Sequence, residues 1–296
     1  MAKILITGGS GMLGSYAAVQ AAEKGWETWA TYHSHPIELP GVRMMALDLA
    51  ELRDVSKAVR QIQPQVIVHT AALSKPDICA QSPREAERAN IRATCNLVRA
   101  AEEVGARFVY VSTDLVFRGG DHAYKPDDQP LPPNYYGMTK WAGESAVKDS
   151  TVPWAIARTS VIYGPRKFAH LNSFSDRVIE SLHAGKTIAA FTDQTRCPIP
   201  ACNLADVCLE IAERELTGIF HAVCPQPSTR YEFAVKIAEV LELDASLIVP
   251  TSMDDVPACA FRPETLILDT TSTSKALKTC LLGFQEGIMG LKERMP

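Results

Sequence analysis

The chain has 296 residues, of which 46% are hydrophobic and 22% are charged, and these proportions are typical of a globular protein that buries a sizeable core in one or two domains. A net charge of −4 argues against the basic surface of nucleic-acid-binding proteins. No apolar run approaches the ~18 residues needed to span a bilayer, so we expect no membrane segment.

The chain opens on an apolar strand followed by a glycine-rich turn. Lys3–Thr7 is the predicted strand, the turn reads Gly8-Gly-Ser-Gly11-Met-Leu-Gly14, and a helical pattern follows it. Glycines in this context let the backbone approach a pyrophosphate, which then binds the N–H groups at the helix N-terminus. The pattern therefore predicts dinucleotide binding. A strand this early also leaves no room for a signal peptide.

Strands and helices alternate through the first half of the chain. The pattern predicts further strands at Trp26–Thr31, Arg43–Leu47, Gln65–His69, Ala106–Val111 and Trp154–Arg158, and helices at 51–61, Pro83–Val104 and 134–149. The segment between the fifth strand and Pro133 is predicted as a polar loop. This alternation predicts an α/β fold, a Rossmann-type doubly wound parallel sheet.

The pattern loosens after residue 165. It predicts helices at Phe168–Ala184, Asn203–Glu213 and Ser228–Leu241, a loop over 193–202, and a strand at Ile219–Val223 that joins the sheet. We expect residues 1–165, completed by about 200–224, to form a dinucleotide-binding domain. We expect residues 166–199 and 225–296 to form a smaller C-terminal substrate-binding domain.

Small and polar residues follow three of the predicted strands. They are His69-Thr-Ala-Ala72, Ser112-Thr113-Asp114 and Arg158-Thr-Ser160. Ligands of such sheets bind at the carboxyl ends of the strands. A hydroxyl at Thr113 suits the orientation of a substrate carbonyl, although capping of the strand end would account for an isolated pair of hydroxyls.

Tyr136 and Lys140 lie one turn apart on the predicted helix that follows. Residues four apart share a helix face, so both side chains leave the helix on the same side. A phenol with a pKa near ~10 needs a neighbouring cation to exchange protons at neutral pH. Together with Thr113, the pair predicts a proton donor, a group that tunes it and a group that positions a carbonyl.

The chain resembles the extended short-chain dehydrogenase/reductases and, within them, the dTDP-4-dehydrorhamnose reductases. The motifs that carry this resemblance run in the expected order: GGSGMLG at 8–14, LDL at 47–49, TAA at 70–72, STDLVF at 112–117, YGMTKWAGE at 136–144, RTSVIYG at 158–164, DQTRCPIP at 193–200 with Asp206, RP at 262–263 and LD at 268–269. They cover nearly the whole chain.

The resemblance implies NADPH-dependent reduction of the 4-keto group of a nucleotide-linked deoxysugar. It implies the catalytic residues Thr113, Tyr136 and Lys140, with Lys140 lowering the pKa of the tyrosine and holding the nicotinamide ribose. The implied cofactor contacts are Gly8, Gly11, Met12, Leu13, Asp48, Leu49, Ala71, Ala72, Leu73, Tyr136 and Lys140. The implied substrate contacts are Ser74, Thr113, Asp114, Val161, Arg196 and Arg262. No metal is implied.

Two of these assignments have competing interpretations. Asp48 would contact the adenine, but an aspartate before a helix is also a favoured N-cap. The end of the second strand reads Tyr32-His33-Ser34-His35 and offers hydrogen-bond donors but no carboxylate to repel a 2′-phosphate. We therefore expect NADPH to be preferred, with NADH possible, unless this segment is only a polar turn.

The substrate side departs from the resembling group at three positions. Val161 stands where a tryptophan is typical, and Arg196 and Ile199 replace the glycine and threonine of D-Q-x-G-x-P-T. A guanidinium there offers a positive fork suited to phosphate or carboxylate, unless it only pairs with a surface acid. We expect a sugar pocket that differs from the dehydrorhamnose type.

Two other functions fit the same fold. A non-catalytic NADP-binding regulatory subunit is one, because the chain also resembles the β subunit of methionine adenosyltransferase. A sugar-nucleotide epimerase is the other. We expect a cytoplasmic monomer or homodimer whose partner is a nucleotide-sugar substrate, and eight cysteines without metal-ligand spacing are expected to be free thiols.

Overall fold

A central sheet of seven parallel strands organises the protein in its computed structural model, which describes residues 2–165, 173–258 and 260–292. The strands are β1 Lys3–Thr7, β2 Glu27–Tyr32, β3 Val42–Ala46, β4 Val66–His69, β5 Arg107–Thr113, β6 Ala123–Tyr124, β7 Trp154–Thr159, β8 Ile162–Tyr163, β9 Ile188–Phe191, β10 Thr195–Arg196, β11 Ile199–Pro200, β12 Gly218–His221, β13 Ser228–Thr229, β14 Ile248–Thr251 and β15 Ile267–Leu268. The strand order of the sheet is β12-β7-β5-β4-β1-β2-β3. This order reverses at β1, as in a Rossmann fold, and confirms the predicted fold class.

Helices cover both faces of this sheet. They are α1 Met12–Glu23, α2 Leu52–Ile62, α3 Pro76–Gln81, α4 Pro83–Ala86, α5 Ala93–Val104, α6 Tyr135–Lys148, α7 Phe174–His183, α8 Ala201–Glu213, α9 Arg230–Leu241, α10 Thr271–Ala276 and α11 Phe284–Lys292. Ile4, Leu5 and Ile6 of β1 have no solvent exposure. Continuous apolar strands such as β1 are buried because helices pack on both sides of a parallel sheet. Within the described ranges, no helix combines the length and apolar character that crossing a bilayer requires.

Several helices and loops begin or end at other residues than predicted, because side-chain caps and local turns, and not only the apolar pattern, determine these boundaries. The predicted helix Pro83–Val104 contains a π-helical segment, Glu87–Arg92, between α4 and α5. The predicted loop 193–202 was wrong at its end, because α8 begins at Ala201. Helix α9 begins at Arg230 because the Thr229 hydroxyl and the Glu232 carboxylate form a capping box.

Other differences concern short elements that sequence periodicity does not reveal. Helix α3 has no counterpart among the predicted elements, and the 3₁₀ turn Asp114–Val116 interrupts a segment predicted as a loop. Helix α7 begins at Phe174, after the Ser173 capping box, and residues 168–172 of the predicted helix lie outside the described residues. The predicted strand at 219–223 does join the sheet, as β12 beside β7.

The second region consists of small sheets and a separate apolar cluster. Four two-stranded sheets pair β10 with β13, β11 with β8, β14 with β9 and β15 with β6. Buried side chains of α7, α9 and α11, among them Val178, Phe233 and Ile288, form a core distinct from those of the large sheet. The division into cofactor and substrate domains stays a prediction.

Candidate active site

The glycine-rich turn brings three backbone segments into close contact. Gly8 has φ +73°, and a Cβ added there would lie 2.9 Å from the backbone nitrogen of Ala71. A Cβ added at Gly14 would lie 2.1 Å from the carbonyl oxygen of Gly8. Only glycine allows the start of α1 to lie this close to the ends of β1 and β4. The first turn of α1, with Gly11, Met12 and Leu13, therefore has the form that a dinucleotide pyrophosphate requires.

A buried asparagine holds the loop that follows β4. The Asn90 side chain accepts a hydrogen bond from the Leu73 N–H at 2.8 Å and donates to the Leu73 carbonyl at 3.1 Å. It also donates to the Thr139 hydroxyl on α6 at 2.9 Å. Asn90 lies in the π-helical segment, which is often found at functional sites. Asn90 was not predicted as a functional residue, because the sequence shows it only as a single polar residue on the alanine-rich side of the predicted helix.

Thr113 and Tyr136 meet where β5 ends and α6 begins. Thr113 Oγ1 donates to Asp114 Oδ1 at 3.1 Å and accepts from the Leu115 N–H at 3.2 Å, and it is close enough to the Tyr136 phenol to influence the pKa of that group. The helix approaches closely because a Cβ at Gly137 would lie 2.0 Å from the Leu115 carbonyl oxygen. The structure thus brings together two of the three residues predicted to be catalytic.

Burial raises the pKa of Tyr136, and the carboxylate of Asp114 raises it further. The Thr113 hydroxyl acts in the opposite direction. This differs from the expectation of a lowered pKa, because the site is buried and holds a carboxylate. At neutral pH the Tyr136 phenol therefore keeps its proton.

Lys140 lies one turn further along α6 and is 3% exposed. Its Nζ lies 4.0 Å from the centroid of the Tyr110 ring, a cation–π contact. Burial lowers the pKa of Lys140 to about 7, and the negative charge of Glu144 opposes this shift. Glu144 is itself bound by both arms of Arg158 at 2.8 and 2.9 Å. The ammonium is thus held by an aromatic face.

The predicted adenosine end has a polar cluster that the sequence analysis described incompletely. Asp48 accepts hydrogen bonds from the Ala50 N–H at 2.9 Å and from Arg88 at 2.5 Å. It does not cap α2, whose N-cap residue is Glu51. His33 Nε2 lies 3.7 Å from Asp48. The expectation that no carboxylate lies near the end of β2 was therefore wrong, although Arg88 offsets its charge.

The remaining residues of this predicted cofactor site vary in accessibility. Tyr32 ends β2 and is half-buried, whereas His33, Ser34 and His35 are exposed. Leu49, Ala71 and Leu73 are half-buried and Ala72 is exposed. They line the ends of β2, β3 and β4, where a cofactor binds in this class of sheet.

Arg196 is a buried structural hub on the predicted substrate side. Its Nη1 donates to the carbonyls of Thr195 at 2.7 Å and Glu264 at 3.2 Å, and its Nη2 donates to Pro263 at 2.6 Å. Its Nε lies 3.9 Å from Asp114 Oδ2. The alternative of a surface ion pair was wrong, because Arg196 is 5% exposed and its acid is buried.

Asp114 and the other predicted substrate contacts, Arg262, Val161 and Ser74, differ in their partners and in their exposure. Ser160 donates to Asp114 at 2.5 Å, which joins the end of β7 to the Thr113–Tyr136 pair. Arg262 donates to Asp77 of α3 at 2.6 Å. Val161 is half-buried and its carbonyl accepts from the Ile199 N–H at 2.8 Å, whereas Ser74 is exposed beyond β4.

Known proteins resemble this chain over nearly its whole length. The family model described as RmlD substrate binding domain matches residues 2–295. A probable low-salt glycan biosynthesis reductase, Agl14, from Haloferax volcanii is 32% identical over 276 residues, with 92% of this chain and 91% of that protein covered. The mouse methionine adenosyltransferase 2 subunit beta is 30% identical over 274 residues, covering 90% and 80%.

Solved structures agree with the family match. A dTDP-4-dehydrorhamnose reductase from Bacillus anthracis, crystallised with NADP, superposes with a TM-score of 0.89 at 26% identity and full coverage of both chains. A hypothetical dTDP-4-dehydrorhamnose reductase from Sulfolobus tokodaii gives a TM-score of 0.84 at 32% identity, covering 96% of this chain and 98% of that one.

Proposed function

The chain belongs to the RmlD substrate binding domain family, and from that premise we propose that it is an NADPH-dependent reductase of the 4-keto group of a nucleotide-linked deoxysugar. The protein is a nicotinamide-dependent oxidoreductase with a Rossmann sheet. The observation that carries the proposal is the burial of Thr113, Tyr136 and Lys140 together where β5 ends and α6 begins, with Lys140 one turn beyond Tyr136 on the same helix. We propose further that the enzyme is cytoplasmic and acts as a monomer or homodimer.

The side chains of this site divide the chemistry among them. A nicotinamide cofactor bound along the glycine turn would supply the hydride. Tyr136, protonated at neutral pH, donates its Oη proton to the substrate oxygen as negative charge develops there. Thr113 holds that oxygen beside the phenol, and Lys140 holds a cofactor hydroxyl. The Asn90 hydrogen bonds fix the loop at Leu73, which would contact the cofactor, relative to α6, which carries the proton donor.

The substrate side supports an anionic sugar derivative. Arg196 lies 3.9 Å from Asp114 at the carboxyl end of β5, and the positive charges of Arg262 and Arg230 act on the same region. Guanidinium groups recognise phosphate oxygens well, and nucleotide sugars carry a diphosphate. Because dTDP-4-dehydrorhamnose is named only for relatives and Val161 and Arg196 depart from their pattern, we propose the wider class of nucleotide-linked 4-keto sugars.

A second candidate is a non-catalytic regulatory subunit, and one observation favours it. The mouse methionine adenosyltransferase 2 subunit beta shares 30% identity over most of the chain. Thr113, Tyr136 and Lys140 are all present and buried here, which supports the enzyme. The epimerase alternative has weaker support, because a solved UDP-glucose 4-epimerase is 20% identical and shares the fold alone.

A panel of nucleotide-linked 4-keto sugars assayed by NADPH absorbance tests this proposal. We expect NADPH loss with at least one member of the panel and none with the Tyr136→Phe variant over the same time. A subunit without catalysis would bind NADPH but leave the absorbance unchanged with every sugar. An epimerase would convert substrate to product without net cofactor loss.

A further inference from the structure

A short antiparallel ribbon joins two distant segments of the chain beside the active site. Strand β10 pairs with β13, with Thr195 opposite Thr229 and Arg196 opposite Ser228. The Arg230 N–H donates to the Gln194 carbonyl at 3.1 Å and extends the pairing by one position. Side chains alternate along a strand, so Gln194, Arg196, Ser228 and Arg230 share one face of the ribbon. Through Arg196, that face lies 3.9 Å from Asp114, which in turn accepts a hydrogen bond from Thr113.

Two polar groups on this face have no hydrogen-bond partner within the described part of the chain. They are Nη1 of Arg230 and Oγ of Ser228, and both atoms are buried. Leaving buried donors unpaired is costly, and such groups in folded proteins usually meet a ligand or ordered water. Both atoms are on the ribbon face that leads to the catalytic pair. They therefore mark a place where a bound group would complete the hydrogen bonding.

Arg230 is held in a fixed orientation. Its Nε donates to Gln194 Oε1 at 3.0 Å, and its guanidinium carbon lies 5.0 Å from the centroid of the Phe174 ring. The guanidinium of Arg177 lies 5.6 Å from the same ring. Because one edge of the Arg230 fork is bound to Gln194 and one face rests on Phe174, the remaining donors have a defined direction. This is the geometry of a prepared binding group.

The electrostatics of this region favour an anion. Burial and, after it, the positive charges of Arg196, Arg177 and Arg262 lower the pKa of Arg230 to about 9. Asp114 opposes these charges, but it already faces Arg196 and accepts from Thr113 and Ser160. Arg196 already donates three hydrogen bonds to backbone carbonyls. Arg230, by contrast, keeps a buried Nη1 without a hydrogen-bond partner among the described residues.

We propose that Arg230 and Ser228 bind the diphosphate of the nucleotide-linked substrate, with Arg196 holding the ribbon in place as a positioning residue. The assignment rests on the proposed function, and it adds two binding residues that the sequence motifs do not mark. A guanidinium edge and a neighbouring hydroxyl match the oxygens of a diphosphate. Occupation by the diphosphate would leave the sugar on the side of Asp114 and Thr113.

Calorimetric titration in saturating NADP⁺, which blocks the cofactor site, tests the assignment with dTDP, UDP and inorganic pyrophosphate as probes. The variants are Arg230→Gln, Arg230→Lys and Ser228→Ala. Arg43→Gln is the matched control, because it removes the same charge from an arginine that pairs with Glu27 at the far edge of the sheet. We expect Arg230→Gln to weaken dTDP or UDP binding by about 10- to 100-fold and Ser228→Ala by about 3- to 10-fold.

The other results have separate meanings. Arg230→Lys keeps the positive charge but loses the planar guanidinium, so a loss of diphosphate affinity between those of the parent and Arg230→Gln supports binding by the guanidinium edge. Arg230→Lys also serves as the test variant if Arg230→Gln does not fold. Unchanged diphosphate affinity in folded Arg230 variants overturns the inference and leaves the proposed reductase standing. If the parent protein binds pyrophosphate but neither nucleotide, the region binds an anion, and the inference that this anion belongs to a nucleotide-linked substrate is overturned. A parent that binds none of the probes overturns both.

A carboxylate on the sugar is the other source of a matching anion. UDP-glucose and UDP-glucuronate, titrated against the parent and Arg230→Gln, distinguish the two sources. Equal losses for both ligands support binding of the diphosphate. A loss confined to UDP-glucuronate overturns the diphosphate assignment.

Discussion

The two sides of the active site are held in place by different means. Thr113 and Tyr136 lie at the ends of long, regular elements, β5 and α6, and the glycine at 137 lets those elements approach closely. Arg196 and Ser228 lie on paired strands of two residues, and the Arg196 side chain adds hydrogen bonds to backbone carbonyls. Backbone packing positions the chemistry, whereas side-chain hydrogen bonds position the substrate side. Substitutions should therefore separate the two.

The largest expected effect is on the catalytic side. Tyr136→Phe removes the proton donor but keeps the ring that packs against Cys79 and Ala86. We expect kcat to fall by at least ~10²-fold, while the melting temperature and NADPH affinity remain those of the parent. Steady-state kinetics beside a thermal melt measure this. Turnover at the parent rate would show that another group donates the proton.

On the substrate side, one substitution should change stability and affinity together. Arg196→Ala removes three hydrogen bonds to carbonyls and leaves the buried carboxylate of Asp114 without its cation. We expect a loss of about 3 kcal/mol in the free energy of unfolding and a raised KM. The control is Arg262→Ala, whose ion pair with Asp77 is partly exposed and should contribute about 1 kcal/mol or less.

Denaturant titration of both variants measures this difference. Val161→Trp, assayed beside them, is expected to change KM with little change in stability, because the side chain is half-buried. Equal stability losses for the two arginine variants would contradict the contrast between a buried hub and a surface pair. If KM is unchanged in Arg196→Ala and Val161→Trp and dTDP-4-dehydrorhamnose is the preferred substrate, then the differences from the dehydrorhamnose reductase pattern at these two positions do not affect substrate specificity.

Lys140 predicts a pH-dependent stability. Burial holds its pKa in the folded protein at about 7, below the ~10.4 of an unfolded lysine. Between those values the unfolded state binds more protons, so the destabilisation is complete below pH 7 and is lost as pH rises towards 10. We expect Lys140→Met to melt at a higher temperature than the parent at pH 6, with a smaller gain at pH 9. A gain independent of pH would contradict a buried ammonium.

The smallest expected effect concerns the choice of cofactor. NADPH should bind more tightly than NADH because His33 and Ser34 offer donors at the end of β2 and Arg88 offsets Asp48. Arg88→Ala leaves the Asp48 carboxylate uncompensated and should reduce this preference by up to about 10-fold, with NADH affinity little changed. Fluorescence titration with both cofactors decides it. Equal parent affinities would remove the argument from Tyr32–His35.

Sequence reasoning reached the regular half of the site and missed much of the irregular half. Strand β1 and the start of α1 follow from a continuous apolar run and the glycine spacing, which are local signals. Asn90 and Arg230 lie in helices as well, but their roles depend on partners 17 and 36 positions away in the chain, Leu73 and Gln194. The pairing of β10 with β13 has no local signature. Arg196 was recognised as unusual, but its burial against backbone carbonyls was not.

Label transfer tests the central claim, ketoreduction at this site, most directly. NADPH carrying deuterium at the transferring C4 position would be incubated with a nucleotide-linked 4-keto sugar and the product examined by mass spectrometry and NMR. The account predicts one deuterium at C4 of the product sugar with the parent protein and, over the same time, none with Tyr136→Phe. Product without deuterium from the free cofactor, or no product from any 4-keto sugar despite tight NADPH binding, would contradict it.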